Sequence, residues 1–537
     1  RGTTNIQADV IILGCSLPGI VTAHELKRRF GDSMDLIVLD LSDVQKATSR
    51  FNVSFKTTEN DEEFLMDDDI ECIEPRITDS TARHYLTKYA TDLNIPLPEA
   101  ILEGHNKTPL NKLFQHTNGN TVECSDDFHN FTYLNFIEKF ELNQYQTLLD
   151  HSMKNLFRDI NANTDHDRKR LLYYDQTTME QHICDALMFS TSRDIMRTTV
   201  RLVCGASADH VSVLFYLHQC YRTNSSRNHL DGDNTRFREK LIGYCSKRLA
   251  KQLQQSIEDI ILMSKPIKEI CSYSDEQVIL KTMKGETNYV CSLLAMALRP
   301  DELHKIEVDD QLFPPEATGL TGAMTQGQAK KFAIQYENNF WAAQGYSGDI
   351  LSIKGPIIWA TEKPVLSTTG SLSRYATLIG YLKIKSNAKA GETSKIAVLE
   401  QLVKLFGSEA MSYVTYKETD IADVFVPRCG DYVALRTLTG NVSGKYLEWG
   451  TLDIFAEGDV AAALQAGHTA YLHLLSYLRP QAQTFEDLRT ANPPTMLCNN
   501  PINAFLCHVN YIRSMRLAVY TAVFYIGVRL LRNYMKK

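Results

Sequence analysis

The sequence predicts an α/β protein that opens with a Rossmann-like unit and continues into an interleaved mixed α+β domain. Two observations carry this prediction. Residues 9–40, DVIILGCSLPGIVTAHELKRRFGDSMDLIVLD, have the pattern of a strand, a tight glycine turn, a helix and a second strand that ends in an acid. Helical and strand patterns then alternate along a chain of 537 residues, which is long enough to bury more than one core.

The first turn has the outline of a dinucleotide-binding fingerprint. Gly14, Ser16 and Gly19 occupy the three positions of a G-x-G-x-x-G pattern, and Asp40 stands where an acid binds a ribose hydroxyl. Ser16 replaces the second glycine, so a β-carbon lies where the backbone normally approaches a pyrophosphate, and Pro18 removes a backbone N–H. The pattern therefore fits either a nucleotide-binding unit or a plain βαβ unit with a tight turn.

The later elements follow from hydrophobic periodicity and turn residues. Residues 104–130 are polar and contain several Asn, Gly and Pro residues, which predicts a long excursion. The other predicted elements are helices at 79–93, 178–217, 235–253 and 394–407, a hairpin at 277–298 and a strand that runs into a turn at 330–341. Residues 444–478 predict a short strand, a loop and a long Ala-rich helix.

The C-terminal segment predicts a single-pass membrane helix within residues 500–537. Its uncharged run, Leu517–Val528, spans only about 18 Å against a bilayer core of about 30 Å. The span lengthens if Arg513, Arg516 and Arg529 reach the two interfaces. A helix that lies in the membrane interface, or one that docks on the body of the protein, are the alternatives.

Composition excludes several classes of function. The net charge is −7 and no long basic run appears, which disfavours nucleic acid as a partner. The twelve cysteines include no C-x-x-C pair, the histidines have no metal-ligand spacing, and we predict no metal site. G-x-S-x-G and H-E-x-x-H motifs are absent. Five N-x-S/T sequons suggest a glycoprotein only weakly, because a chain of this length contains several by chance.

The chain resembles the flavin-dependent monoamine oxidases over almost its whole length. The opening unit is similar to that family's FAD-binding unit. The segments YYDQTTMEQHICDALMF, AMTQGQAKKFAIQYENNFW and EWGTLDIFAEGDVAAALQAGHTA are similar to its helical substrate segment, its lysine-bearing strand and its closing FAD motif. The resemblance implies a discontinuous FAD-binding-type domain of residues 6–85, 210–300 and 415–480, and a substrate-type domain of residues 86–209 and 301–414.

The same resemblance implies the functional residues. Lys331 aligns with the lysine that holds a water near flavin N5. The implied cofactor-binding residues are Gly14, Ser16, Gly19, Asp40, Arg50, Cys429, Gly450 and Thr451. Cys429 corresponds to the family's covalent flavin cysteine.

Several site positions depart from the family pattern. No glycine pair follows Asp40, and the run Asp67–Asp69 stands where a second glycine pair would lie beside the flavin. Gly430 and Asp459 replace the two tyrosines of the aromatic cage. Carboxylates beside a pyrophosphate repel it. The departures affect most cofactor contacts and leave the packing residues of the same segments intact.

These departures favour a catalytically inactive, membrane-anchored homologue that binds no cofactor and serves as a structural or protein-interaction subunit. The alternative is a divergent FAD-dependent amine oxidase that uses O2, with Lys331 as its catalytic residue. The basic residues after the C-terminal run favour a lumenal or extracellular body with a cytosolic tail, and family precedent gives the mitochondrial outer membrane as the alternative.

Overall fold

The structure is a computed structural model. The residues that it describes are 4–41, 85, 88–95, 110–157, 165–222, 230–231, 249, 252–263, 266–274, 277–283, 285, 287–298, 300–309, 312, 319–320, 322–326, 329–363, 375–383, 392–421, 425–435, 447–448, 460–484 and 511–534.

The first sheet contains the opening unit. Its strand order is β5-β2-β1-β8-β7-β6-β9, and β17 also pairs with β8. The pairs β5–β2, β2–β1 and β1–β8 are parallel, whereas β8–β7 and β7–β6 are antiparallel. The strands are β1 (Thr4–Leu13), β2 (Leu36–Asp40), β5 (Ile261–Met263), β6 (Ile267–Ser274), β7 (Gln277–Thr282), β8 (Thr287–Met296), β9 (Glu307–Val308) and β17 (Leu447–Glu448).

Helix α1 (Leu17–Phe30) crosses from β1 to β2. Proline is tolerated in the first turn of a helix, where its missing N–H costs no intrahelical hydrogen bond, and Pro18 lies there. Three basic residues in the last turn, Lys27 to Arg29, complement the helix dipole. The inner face of α1 packs against the sheet and against the long helix that precedes the C-terminal segment.

The second sheet is mixed. Its strand order is β15-β11-β14-β13-β12-β3-β4, and every pair is antiparallel except β12–β3. A separate two-stranded sheet pairs β10 with β16. The strands are β3 (Asn111–Gln115), β4 (Thr121–Cys124), β10 (Thr325–Gln326), β11 (Ala329–Tyr336), β12 (Tyr346–Ser352), β13 (Ile357–Lys363), β14 (Ala376–Leu382), β15 (Thr415–Ile421) and β16 (Phe425–Val426).

Helices cover both faces of the second sheet. One face packs on a helical bundle, in a core that includes Phe114, Leu351 and Trp359, and the other packs on α7. The remaining helices are α2 (Phe136–Phe157), α3 (Asp165–Gln176), α4 (Met179–Ala186), α5 (Ser190–Cys204), α6 (Val213–Arg222), α7 (Glu392–Phe406), α8 (Val460–Leu478) and α9 (Tyr511–Tyr534), with short helices at Pro300–Leu303 and Phe340–Ala343.

The α/β class and several elements are confirmed. The hairpin at 277–298 is β7 and β8, the strand at 330–341 is β11 with the short helix after it, and the helix at 394–407 is α7. The helical region 178–217 consists of α4, α5 and the start of α6. The predicted helix at 235–253 lies almost entirely outside the described residues.

The described part of the predicted excursion at residues 104–130 contains the hairpin of β3 and β4, which the sequence did not predict. The domain boundaries remain predictions. Strand β15 and helix α6, which those boundaries assign to the FAD-type domain, lie in the second sheet and in the helical bundle.

The C-terminal segment forms helix α9, whose apolar side chains from Val519 to Val528 are largely exposed. No helix in the described part of the chain is long and apolar enough to span a membrane. The predicted single-pass anchor is therefore not supported, because Arg513, Arg516, Arg529 and Arg532 confine the uncharged part of α9 to twelve residues.

Candidate cofactor site

The turn between β1 and α1 is held by close backbone packing. The Gly14 N–H donates to the Leu39 carbonyl at 2.9 Å, and Gly14 has a φ of +107°, which disfavours any residue with a side chain. A β-carbon at Gly14 would lie 2.4 Å from the Ala297 carbonyl oxygen, and one at Gly19 would lie 2.6 Å from the Ala297 β-carbon. Both glycines are therefore required by the packing of β1 and α1 against the end of β8.

Ser16 is the N-cap residue of α1. Its backbone is extended, with φ −66° and ψ 157°, and its carbonyl accepts the first intrahelical hydrogen bond from the Ile20 N–H at 2.9 Å. The side chain makes no capping hydrogen bond, and its Oγ is buried with no hydrogen-bond partner among the described residues. A polar group is thus left unused at a helix N-terminus, where phosphate groups bind in dinucleotide-binding folds.

Asp40 lies beside this turn. It is the last residue of β2, and the parallel register aligns Leu13 of β1 with Leu39 of β2. The carboxyl ends of parallel strands therefore bring Asp40 to the same edge of the sheet as Gly14 and Ser16. An acid at this position binds ribose hydroxyls in dinucleotide-binding folds.

These residues fit the phosphate and ribose part of FAD. The fit rests on the unpartnered Ser16 hydroxyl and on the position of Asp40. Arg50, Gly450 and Thr451 lie outside the described residues, as do Asp67–Asp69 and Asp459, so their predicted roles remain predictions.

Lys331 lies within β11, directly opposite Tyr381 of β14 and Thr419 of β15. Trp359 of β13 in turn lies opposite Tyr381. Lys330, the preceding residue of β11, has its Nζ 2.6 Å from a carboxylate oxygen of Glu418. Lys330 therefore has a structural ion pair.

Cys429 lies in a turn that is held by Asp175. The Gly430 N–H donates to the Asp175 carbonyl at 2.9 Å, and the Val433 N–H donates to Asp175 Oδ2 at 3.0 Å. The Cys429 thiol lies 3.9 Å from the His210 carbonyl oxygen. Burial, followed by the negative charge of Asp175, raises the pKa of Cys429 to about 11. This environment disfavours the thiolate, which is the nucleophilic form of cysteine.

Sequence reasoning missed Asp175. Its carboxyl group is fully buried, and burial raises the pKa of Asp175 even though backbone N–H groups and Ser212 stabilise the charged form. Nothing in the local sequence marks this residue, because Val433 is 258 positions away along the chain. Among the described residues, no group of three or more His, Cys, Asp or Glu side chains is placed to hold a metal ion.

A family model described as "Flavin containing amine oxidoreductase" matches residues 75–425. The probable flavin-containing monoamine oxidase A of Dictyostelium discoideum is 24% identical over 262 residues, which are 48% of this chain and 56% of that protein. Amine oxidase [flavin-containing] A of Bos taurus is 23% identical over 278 residues, which are 50% of each chain. This chain therefore spans about half the length of the curated relatives that it matches.

Solved structures show the fold. A putrescine oxidase bound to putrescine superposes with a TM-score of 0.64 at 15% identity, covering 88% of this chain and 100% of that one. Cyclohexylamine oxidase from Brevibacterium oxydans IH-35A gives a TM-score of 0.61 at 18% identity, covering 87% and 99%. The fold is that of the FAD-dependent amine oxidases.

Proposed function

The chain belongs to the family of flavin-containing amine oxidoreductases, and on this basis we propose that it is an FAD-dependent amine oxidase that uses O2. The observation that carries the proposal is the opening unit, where Gly14, Ser16 and Asp40 meet at the carboxyl edge of the parallel strands. Bound FAD would supply hydride acceptance from the carbon beside the amine nitrogen and return of the electrons to O2.

The residues of the chain would then have separate tasks. The N-terminus of α1 and the Ser16 hydroxyl would bind the phosphates, and Asp40 would bind the ribose hydroxyls. Lys331, from its place on β11 and the family resemblance, would hold a water molecule at the reacting centre. Cys429 would stay a thiol, so we propose that the flavin is held without a covalent bond.

The substrate would differ from that of an enzyme with a tyrosine cage. Gly430 stands at one cage position, has a φ of +97° and donates its N–H to Asp175, so it provides no aromatic wall. We therefore propose an amine that is bound without aromatic side chains on both sides of its nitrogen.

The catalytically inactive homologue, which the sequence favoured, is not supported by the comparisons, since the relatives are flavin amine oxidases. The expectation that no cofactor binds likewise has no support. Of the departures on which that hypothesis depended, Asp67–Asp69 and Asp459 lie outside the described part of the chain, whereas Ser16 and Gly430 lie within it.

The test is a visible absorption spectrum of the purified protein before and after acid precipitation, with a peroxide assay on monoamines, putrescine and cyclohexylamine. We expect flavin bands that move to the supernatant, and peroxide formation with at least one amine. Folded protein that stays colourless after incubation with FAD would contradict the proposal. Flavin that remains in the pellet would contradict only the non-covalent binding.

A further inference from the structure

The hydroxyl of Ser16 is not used by the helix that it caps. Serine is favoured at an N-cap because its Oγ accepts a hydrogen bond from the N–H of the second or third helical residue. In α1 the second residue is Pro18, which has no N–H, and Ser16 makes no side-chain capping bond even though its backbone has the usual extended N-cap conformation. Helix capping therefore does not explain this serine.

The hydroxyl is also shielded from solvent. Ser16 is 5% exposed, and its Oγ has no hydrogen-bond partner among the residues that the structure describes. A buried polar atom without a partner is costly, and such atoms in folded proteins usually have a partner that the protein itself does not provide. The Ser16 hydroxyl therefore lacks a hydrogen-bond partner that a ligand at this turn would supply.

The position favours an anion. Ser16 stands at the positive end of the dipole of α1, and the first turn of the helix contains no acidic residue. A helix N-terminus offers an anion its unpaired N–H groups, but Pro18 contributes none, so one donor is missing from this end of α1. A hydroxyl that donates to a phosphate oxygen could supply the missing hydrogen bond.

We propose that the Ser16 hydroxyl donates a hydrogen bond to the pyrophosphate of the cofactor, in place of the backbone N–H that Pro18 lacks. The proposal rests on the proposed function. It makes the serine that replaces the second glycine of the fingerprint a hydrogen-bond donor to the pyrophosphate and not an obstruction. The hydroxyl of Ser16 then compensates for the N–H that Pro18, two residues later, lacks.

The reverse interpretation makes the opposite prediction. If Ser16 only obstructs the turn, Ser16→Gly restores the fingerprint and strengthens binding. If the hydroxyl is a donor, both Ser16→Gly and Ser16→Ala weaken binding, because both remove the hydroxyl and only one removes the β-carbon.

The experiment is a calorimetric titration of flavin-depleted protein with FAD and, separately, with ADP, which carries a pyrophosphate and no flavin. We expect Ser16→Ala and Ser16→Gly each to raise the Kd for both ligands by about 10- to 100-fold, the range for a hydrogen bond to a charged group. Ser33→Ala is the matched control, because the Ser33 hydroxyl donates to the Phe30 carbonyl at 2.6 Å at the far end of α1. Its Kd values should equal those of the wild type.

The unliganded variants separate ligand binding from a structural role. Without ligand, Ser16→Ala should melt at the same temperature as the wild type or higher, because it removes an unpaired buried hydroxyl. A lower melting temperature would show a structural role and overturn the proposal, as would Ser16→Gly binding as tightly as the wild type. ADP binding that depends on Ser16, without FAD binding, would support this proposal and contradict the oxidase. Wild type that binds neither ligand would overturn both.

Discussion

Gly467 of α8 touches the first turn of α1, because a β-carbon at position 467 would lie 2.5 Å from the Pro18 carbonyl oxygen. The Thr22 hydroxyl lies 2.9 Å from the carbonyl oxygens of both Pro18 and Gly467. Helix α8 thus contacts the first turn of α1, directly after Ser16.

Replacing Gly467 with alanine should force these two helices apart. We expect Gly467→Ala to lower the free energy of unfolding by about 1–3 kcal/mol, the usual cost of one extra methyl group in a tightly packed contact. Urea unfolding of the variant and the wild type measures this difference in the free energy of unfolding. Gly527→Ala is the control, because a β-carbon at Gly527 meets nothing within 4 Å. Equal stability of the two variants would show that α1 and α8 adjust without cost.

The charge on Glu25 should make stability depend on pH in acid. This residue of α1 is 1% exposed, and Arg28 lies 2.7 Å, His468 3.7 Å and Lys88 4.0 Å from its carboxylate. Burial alone would raise the pKa of Glu25, and these three neighbours instead lower it from 4.5 to about 2. Because the folded pKa lies below the unfolded one, the stabilisation is complete above pH 4.5 and is lost as the pH falls towards 2.

The size of this effect is on the order of 3 kcal/mol, from 1.36 kcal/mol per pKa unit. Chemical unfolding at a series of pH values between 2 and 7 measures the loss of stability. Glu25→Gln should be less stable than the wild type at neutral pH and should lose less stability in acid. A variant with the same acid profile as the wild type would exclude Glu25 as the source.

The pH dependence of alkylation should show the raised pKa of the Cys429 thiol. Its pKa of about 11, against 9.0 for an ordinary cysteine, leaves about 100-fold less thiolate at pH 8. We expect the labelling rate of the Cys429 peptide, followed by mass spectrometry, to be still rising at about pH 10. The same peptide in urea should have the profile of an ordinary thiol. A plateau near pH 9 in the folded protein would contradict the effect of burial and Asp175.

Turnover should distinguish Lys331 from its neighbour. We expect Lys331→Met to lower kcat at least about 10-fold with flavin content unchanged, because it removes the group that would hold a reacting water. Lys330→Met is the matched control. It should lower stability by breaking the ion pair with Glu418, and should keep the wild-type kcat. Equal losses of kcat in both variants would assign Lys331 no special role.

Elements whose signals lie close together along the chain were predicted correctly from the sequence. The hairpin of β7 and β8 follows from two β-rich runs around Gly285, and α7 ends where Gly407 stops the apolar repeat. In these segments the turn residues and the periodicity act within about ten positions, so the sequence contains the information locally.

Contacts between segments that are distant along the chain could not be predicted from the sequence. The sequence of β3 has no clear strand pattern. Its parallel partner β12 lies more than 200 residues further along the chain. Asp175 and Val433 meet in the same way. In the candidate site, the placement of Gly14, Ser16 and Asp40 at one edge of the sheet could be predicted because they lie within one βαβ unit. The partners of Cys429 could not.

The chain order of the first sheet has a consequence during synthesis. Strand β1 and helix α1 are synthesised before their neighbours β8 and α8, which end at residues 296 and 478. At typical elongation rates, helix α8 is complete only on the order of a minute after α1. The nascent βαβ unit should therefore stay accessible to chaperones and proteases until α8 has been synthesised.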